Sequence, residues 1–103
     1  MKDIGGTGAI PAGAIIIDVR TPAEYRAGHL EGAVLLDIHD AFEAKIAALE
    51  RSRTYLVYCA TGGRSRHAVA RMRTHGLDAR NLVGGIAAWI AAGKPIAGRA
   101  PRA

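Results

Sequence analysis

The residue of this 103-residue chain best able to act as a nucleophile is its only cysteine, Cys59. It opens the segment Cys59-Ala60-Thr61-Gly62-Gly63-Arg64-Ser65, between the apolar run Thr54-Tyr55-Leu56-Val57-Tyr58 and a helical pattern from Ser65 to His75. Gly62 and Gly63 can adopt positive φ, so the loop can curl with successive N–H groups aimed at its centre. A helix starting near Ser65 adds unpaired N–H donors and the positive end of its dipole. A group at that centre is stabilised as an anion, which for Cys59 means a reactive thiolate and, for any sulfur carried on it, a persulfide anion. A free cysteine is ordinarily a small buried hydrophobe. A Gly-rich turn ahead of a helix, amid arginines, separates Cys59 from that class.

The charge distribution reinforces this reading. Net charge is +5, but residues 1–50 hold eight of the nine acids and only four of the 14 Lys and Arg. Between Arg51 and Leu77 there is no acid, while Arg51, Arg53, Arg64, Arg66, Arg71 and Arg73 all fall there. Such a bias attracts anions generally, nucleic acid included. No aromatic platform or groove-reading motif accompanies it, so no specific nucleic-acid partner is expected. One cysteine excludes an internal disulfide and any Cys-only metal site. His39 and His75 have no ligand spacing with Cys59, so no metal is expected. The N-terminus lacks an apolar signal region and no run reaches the ~18 apolar residues of a membrane span, so no membrane partner and a reducing, cytoplasmic location are expected.

The elements that must position Cys59 follow from periodicity. Ala14 to Val19, Ala33 to Ile38, Thr54 to Tyr58 and Ala79 to Val83 read as strands. Thr21-Pro22-Ala23-Glu24 forms a capping box for a brief helix stopped by Gly28. Asp40 with Glu43 repeats that signal for a helix carrying Phe42, Ile46 and Leu49 toward Arg51. Ala68, Val69 and Met72 form the buried stripe of the helix after the cysteine loop, and Gly84-Gly85 opens a last one carrying Trp89. Strands alternating with helices predict an α/β domain with a mainly parallel central sheet covered by helices on both faces. Ligands bind such sheets outside the carboxyl ends of their strands, where Cys59 lies. One domain over residues 1–103 is expected, with its core at about 12–97 and with 1–11 and 98–103 as flexible termini.

The chain resembles the single-domain rhodaneses, a family of sulfurtransferases. The family's C-x-x-G-x-R-S pattern stands here as Cys59-Ala60-Thr61-Gly62-Gly63-Arg64-Ser65. Ile17-Asp18-Val19-Arg20 with Glu24-Tyr25, Gly28-His29-Leu30-Glu31-Gly32-Ala33, Leu82-Val83-Gly84-Gly85 with Trp89, and Gly93-Lys94-Pro95-Ile96 follow the family order. Two positions depart from it: Glu31 replaces a usual proline, and Ala60 stands where some relatives carry a larger polar group.

The resemblance implies that Cys59 attacks the outer sulfur of a donor such as thiosulfate, becomes a persulfide, and passes the sulfur to a thiol or to cyanide. Ala60, Thr61, Gly62, Gly63, Arg64 and Ser65 would bind the small sulfur-containing anion, with no cofactor. A sulfur-relay protein is a possible partner class. Arg64 would brace the loop or attract the donor, and Ser65 would serve first as an N-cap. Asp18 with Arg20 would form a supporting ion pair, His29 a hydrogen-bonding turn residue and Trp89 a packing residue. Two rival readings are a non-catalytic binding or sulfur-carrier module of the same fold and a cysteine-dependent phosphatase or arsenate reductase. The phosphatase pattern needs five residues between Cys and Arg, whereas four separate Cys59 from Arg64.

Overall fold

The computed structural model describes residues 3–5 and 8–98. In chain order the elements are β1 (Ile4–Gly5), β2 (Ile15–Asp18), α1 (Pro22–Ala27), β3 (Val34–Leu35), α2 (Phe42–Ala47), β4 (Thr54–Tyr58), α3 (Gly63–Thr74), β5 (Asp78–Val83) and α4 (Gly85–Ala91). The strands form one sheet in the order β1-β5-β4-β2-β3, and neighbours run parallel throughout. Strand β4 lies at its centre, between β2 and β5.

A central parallel strand is covered on both faces and must be apolar on both. Tyr55, Leu56, Val57 and Tyr58 are each no more than 1% exposed. Period-two alternation sorts them between two cores. Tyr55, Val57 and Cys59 join Ile17, Val19 and Ala79 beneath Phe42 and Ile46 of α2 and Ala68, Val69 and Met72 of α3. Leu56 and Tyr58 join Leu30, Ala33 and Leu82 beneath Ile86 and Trp89 of α4. Each large apolar side chain buried this way contributes about 1.5–3 kcal/mol, more than any single polar contact at the surface. This apolar anchoring of α3 fixes where its first turn stands. Ser65, Ala68, Val69 and Met72 are its buried residues, at i, i+3, i+4 and i+7. The stripe that docks the helix therefore turns Ser65 toward the sheet beside Cys59.

The sequence-based elements are recovered with several differences, one being that of the strand expected over Ala33 to Ile38 only Val34 and Leu35 pair with β2. Helix α3 begins at Gly63, with Gly62 at φ 117° as its N-cap, so Ser65 is the third helical residue and not the cap. The Ser65 N–H, the donor that a capping side chain would ordinarily accept from, hydrogen-bonds to Cys59 instead. Helix α2 takes no side-chain cap: Ala41 at φ 49° holds the N-cap position, and Asp40 receives Lys45 Nζ at 3.1 Å. That helix ends at Ala47, short of Arg51. Ile4 and Gly5, outside the core expected at about residues 12–97, pair with Leu82 and Val83 as an edge strand. The basic tail at residues 99–103 lies outside the described residues. The capping box of α1 stands as the sequence predicts, with Glu24 N–H donating to Thr21 Oγ1 at 3.2 Å and Thr21 N–H donating to Glu24 Oε1 at 3.1 Å.

Candidate active site

Cys59 is the residue after β4, at the carboxyl end of the sheet, and is 1% exposed. The N–H of Gly62 donates to its Sγ at 3.0 Å, and Ser65 Oγ stands 3.4 Å from it. Burial pushes the thiol pKa up. The Ser65 hydroxyl and the backbone N–H groups of Ser65, Gly62 and Thr61 together outweigh that, and the net direction is down. An enclosed sulfur with several donors aimed at it is stabilised as an anion.

The loop keeps this shape because α4 holds it from behind. The first N–H groups of a helix have no partner within the helix. Here Ile86 N–H donates to the carbonyl of Cys59 at 3.0 Å and Ala87 N–H to that of Ala60 at 3.1 Å. With both carbonyls pulled outward, the succeeding N–H groups turn in toward the sulfur. This requires glycine where the chains meet. A Cβ on Gly85, at φ 61°, would stand 2.5 Å from the Cys59 carbonyl oxygen, and Gly62 takes φ 117°, a conformation that favours glycine whatever the space.

Arg64 binds across to α1, donating from Nη1 to Glu24 Oε1 at 2.7 Å and from Nη2 to Glu24 Oε2 at 2.9 Å. Hydrogen bonding to Arg64 is the main reason the Glu24 carboxyl is lowered to about 2, against burial, which raises it. The pair ties the cysteine loop to the helix after β2, which favours bracing over donor attraction for Arg64. Beneath it lies a second, buried network. Arg20 donates from Nη2 to Asp18 Oδ2 at 2.7 Å and to the Gly28 carbonyl at 2.6 Å. Tyr58 Oη donates to Asp18 Oδ2 at 2.6 Å and accepts from Leu30 N–H at 3.0 Å. The Asp18–Arg20 pair read from the sequence is thus an ion pair, and Tyr58 is a third member the sequence reading left in the core.

His29 stacks on Tyr25 with centroids 3.8 Å apart and shares a hydrogen bond with the Tyr25 carbonyl at 2.8 Å, a turn-fixing role. Arg66 and His67 are exposed on α3, and Trp89 is buried with its Nε1 donating to the Pro95 carbonyl at 2.9 Å. Asn81 is the site neighbour that sequence reasoning missed. It is 6% exposed, and its Oδ1 lies 2.6 Å from Ser65 Oγ. The available signal was parity: Asn81 is two residues from Ala79, on the same inward face of β5, where an apolar residue is ordinary.

Comparison with known proteins bears on this geometry. The sequence matches the family description "Rhodanese-like domain" over residues 5–92. It is similar to a sulfurtransferase of Allochromatium vinosum, 35% identical over 83 residues, covering 80% of this chain and 77% of the relative. It is also similar to the thiosulfate sulfurtransferase GlpE of Stutzerimonas stutzeri, 34% identical over 79 residues, covering 76% of this chain and 72% of the relative. The fold superimposes on the crystal structure of a rhodanese-related protein from Thermoplasma volcanium with a TM-score of 0.87 and 30% identity, covering 95% of this chain and 99% of that one. Other curated relatives are much longer: the chain spans 15% of a tRNA sulfurtransferase of Thermoplasma acidophilum and 19% of the probable adenylyltransferase/sulfurtransferase MoeZ of Mycobacterium tuberculosis.

Proposed function

This chain belongs to the rhodanese-like domain family, and on that footing we propose that it transfers a sulfane sulfur from a small anionic donor such as thiosulfate to a thiophilic acceptor. The observation that carries the reading is the Cys59 sulfur held between the Gly62 N–H at 3.0 Å and Ser65 Oγ at 3.4 Å. The Cys59 thiolate attacks the outer sulfur of the donor. A sulfur–sulfur bond forms to Cys59, the donor's own sulfur–sulfur bond breaks, and its electron pair leaves with sulfite. An acceptor thiolate or cyanide then attacks the outer sulfur of the persulfide, and Cys59 leaves as the thiolate.

Both steps begin and end with an anion on the same sulfur. Donors preorganised on the loop from Ala60 to Ser65 would stabilise it throughout. Arg64, paired with Glu24, would hold the loop in register for the donor. The lone thiol suits a reducing compartment, in keeping with a cytoplasmic location. A relay protein thiol would serve as acceptor as well as a small molecule.

Intact mass of the purified protein before and after thiosulfate tests the reading, with Cys59→Ser alongside. A gain of one sulfur atom, removed by cyanide and absent from the variant, is the expected result. No gain with thiosulfate or polysulfide would overturn it.

A further inference from the structure

We propose that Asn81 is a positioning residue for the Cys59 nucleophile: its carboxamide sets which way the Ser65 hydroxyl points, and so whether that hydroxyl gives its one hydrogen to Sγ. The proposal rests on the reading of Cys59 as the reacting sulfur.

Ser65 Oγ has three neighbours: Asn81 Oδ1 at 2.6 Å, the Gly62 carbonyl at 3.2 Å and Cys59 Sγ at 3.4 Å. A hydroxyl offers one hydrogen and two lone pairs. Facing three acceptors, it gives its hydrogen to the nearest, Asn81, and turns lone pairs toward the sulfur. That arrangement suits a thiol, whose S–H can donate to Oγ. A half-turn of the carboxamide brings its NH2 to the same place. Asn81 then donates to Oγ, and the hydroxyl hydrogen is released to Sγ, which suits a thiolate or a persulfide anion. Only a carboxamide offers either end at nearly the same position and shape.

The fold supports this assignment. Asn81 is buried on the inward face of β5, its Cα is paired with Val57 of β4, and its backbone N–H donates to Asp3 at 3.1 Å. The side chain is therefore delivered to Ser65 from a fixed strand. Its hydrogen bond to Ser65 is shorter than that hydroxyl's contact with the sulfur. The charged pairs flanking the site, Arg64 with Glu24 and Asp18 with Arg20, are untouched by substitution here.

The test is the pH dependence of Cys59 alkylation by iodoacetamide, which needs no sulfur donor. Failure of the sulfur-transfer reading would show in the wild type's mass after thiosulfate. Failure of this proposal would show only between variants. In Asn81→Leu the hydroxyl loses the NH2 that donates to it when the sulfur is charged, its own donation to Sγ weakens, and the alkylation midpoint should rise by about one pH unit. Ser65→Ala should raise it comparably, and the double variant no further. An unchanged midpoint in Asn81→Leu, or a shift that adds in full to that of Ser65→Ala, would overturn the proposal. Should Asn81→Leu fail to fold, Asn81→Ala is read by the same two outcomes.

Discussion

Gly85 lies directly against the backbone of Cys59, so close that a single added methyl would stand 2.5 Å from the Cys59 carbonyl oxygen. The contact couples two chain segments 26 residues apart in sequence. The start of α4 serves less to bind a ligand than to set the cysteine loop, because its free N–H groups are taken by the carbonyls of Cys59 and Ala60. The loop's donors face the sulfur because its acceptors are engaged elsewhere.

Gly85→Ala should therefore lose sulfur transfer by tenfold or more and unfold at lower temperature. Strain at φ 61° costs about 1 kcal/mol and the overlap about 1–3 kcal/mol more. Gly93 provides the control, with φ 77° and nothing within 4 Å of an added Cβ. Gly93→Ala should lose only about 1 kcal/mol and keep Cys59 alkylation at the wild-type rate. Thermal unfolding and alkylation kinetics on both variants separate the two effects.

Much of this arrangement is legible in the chain. The apolar run into Cys59 reads as a strand because β4 is buried on both faces, and the Thr21–Glu24 capping box reads correctly because both partners lie within one turn. What is not legible has partners distant in sequence. Glu24 looks like a finished cap, yet it also receives Arg64 from 40 residues away. Ser65 looks like an N-cap by residue type, but the docked stripe of α3 turns it inward to Asn81, 16 residues on. Asp40 and Glu43 look like a second capping box. The left-handed Ala41 starts that helix instead, and Glu43 reaches to Arg71 and His75 on α3. Two-residue β1 carries no periodicity, so only its pairing with β5 reveals it.

The Arg64–Glu24 pair predicts an acid-labile brace. Glu24 is held at about 2 by Arg64, below the ordinary value of 4.5. A carboxyl lowered by folding contributes stability that is present above about pH 4.5 and is lost as pH falls toward 2. Each side chain is 33% exposed, so solvent screening limits the contribution to about 1 kcal/mol. Arg64→Ala and Glu24→Gln should each lower thiosulfate turnover severalfold while shifting denaturant unfolding by no more than that amount. Equal donor kinetics in Arg64→Ala would remove Arg64 from the site.

Tyr58→Phe should do the opposite, harming stability more than chemistry. Its hydroxyl donates to Asp18 at 2.6 Å and accepts the Leu30 N–H at 3.0 Å, and the tyrosine is fully buried. Removing it leaves the Leu30 N–H without its acceptor and takes one donor from a buried carboxylate, at a cost of about 2–3 kcal/mol. The unfolding temperature should fall by roughly 10 °C or more. Intact-mass measurement should still show the persulfide on whatever fraction remains folded.

The lowered thiol pKa of Cys59 has a thermodynamic signature as well as a kinetic one. The folded protein gives up the thiol proton at lower pH than the unfolded chain does. Between the two values the unfolded state binds more protons, so unfolding free energy rises with pH. Stability from this source is fully present above the ordinary thiol value and is lost as pH falls through the folded one. In Cys59→Ser the titrating group is gone and so is this dependence. The stability of the wild type relative to Cys59→Ser should therefore grow as pH is raised from 6 to about 9. Denaturant unfolding of both proteins across that range measures it. Parallel profiles would show that burial outweighs the donors of Ser65, Gly62 and Thr61.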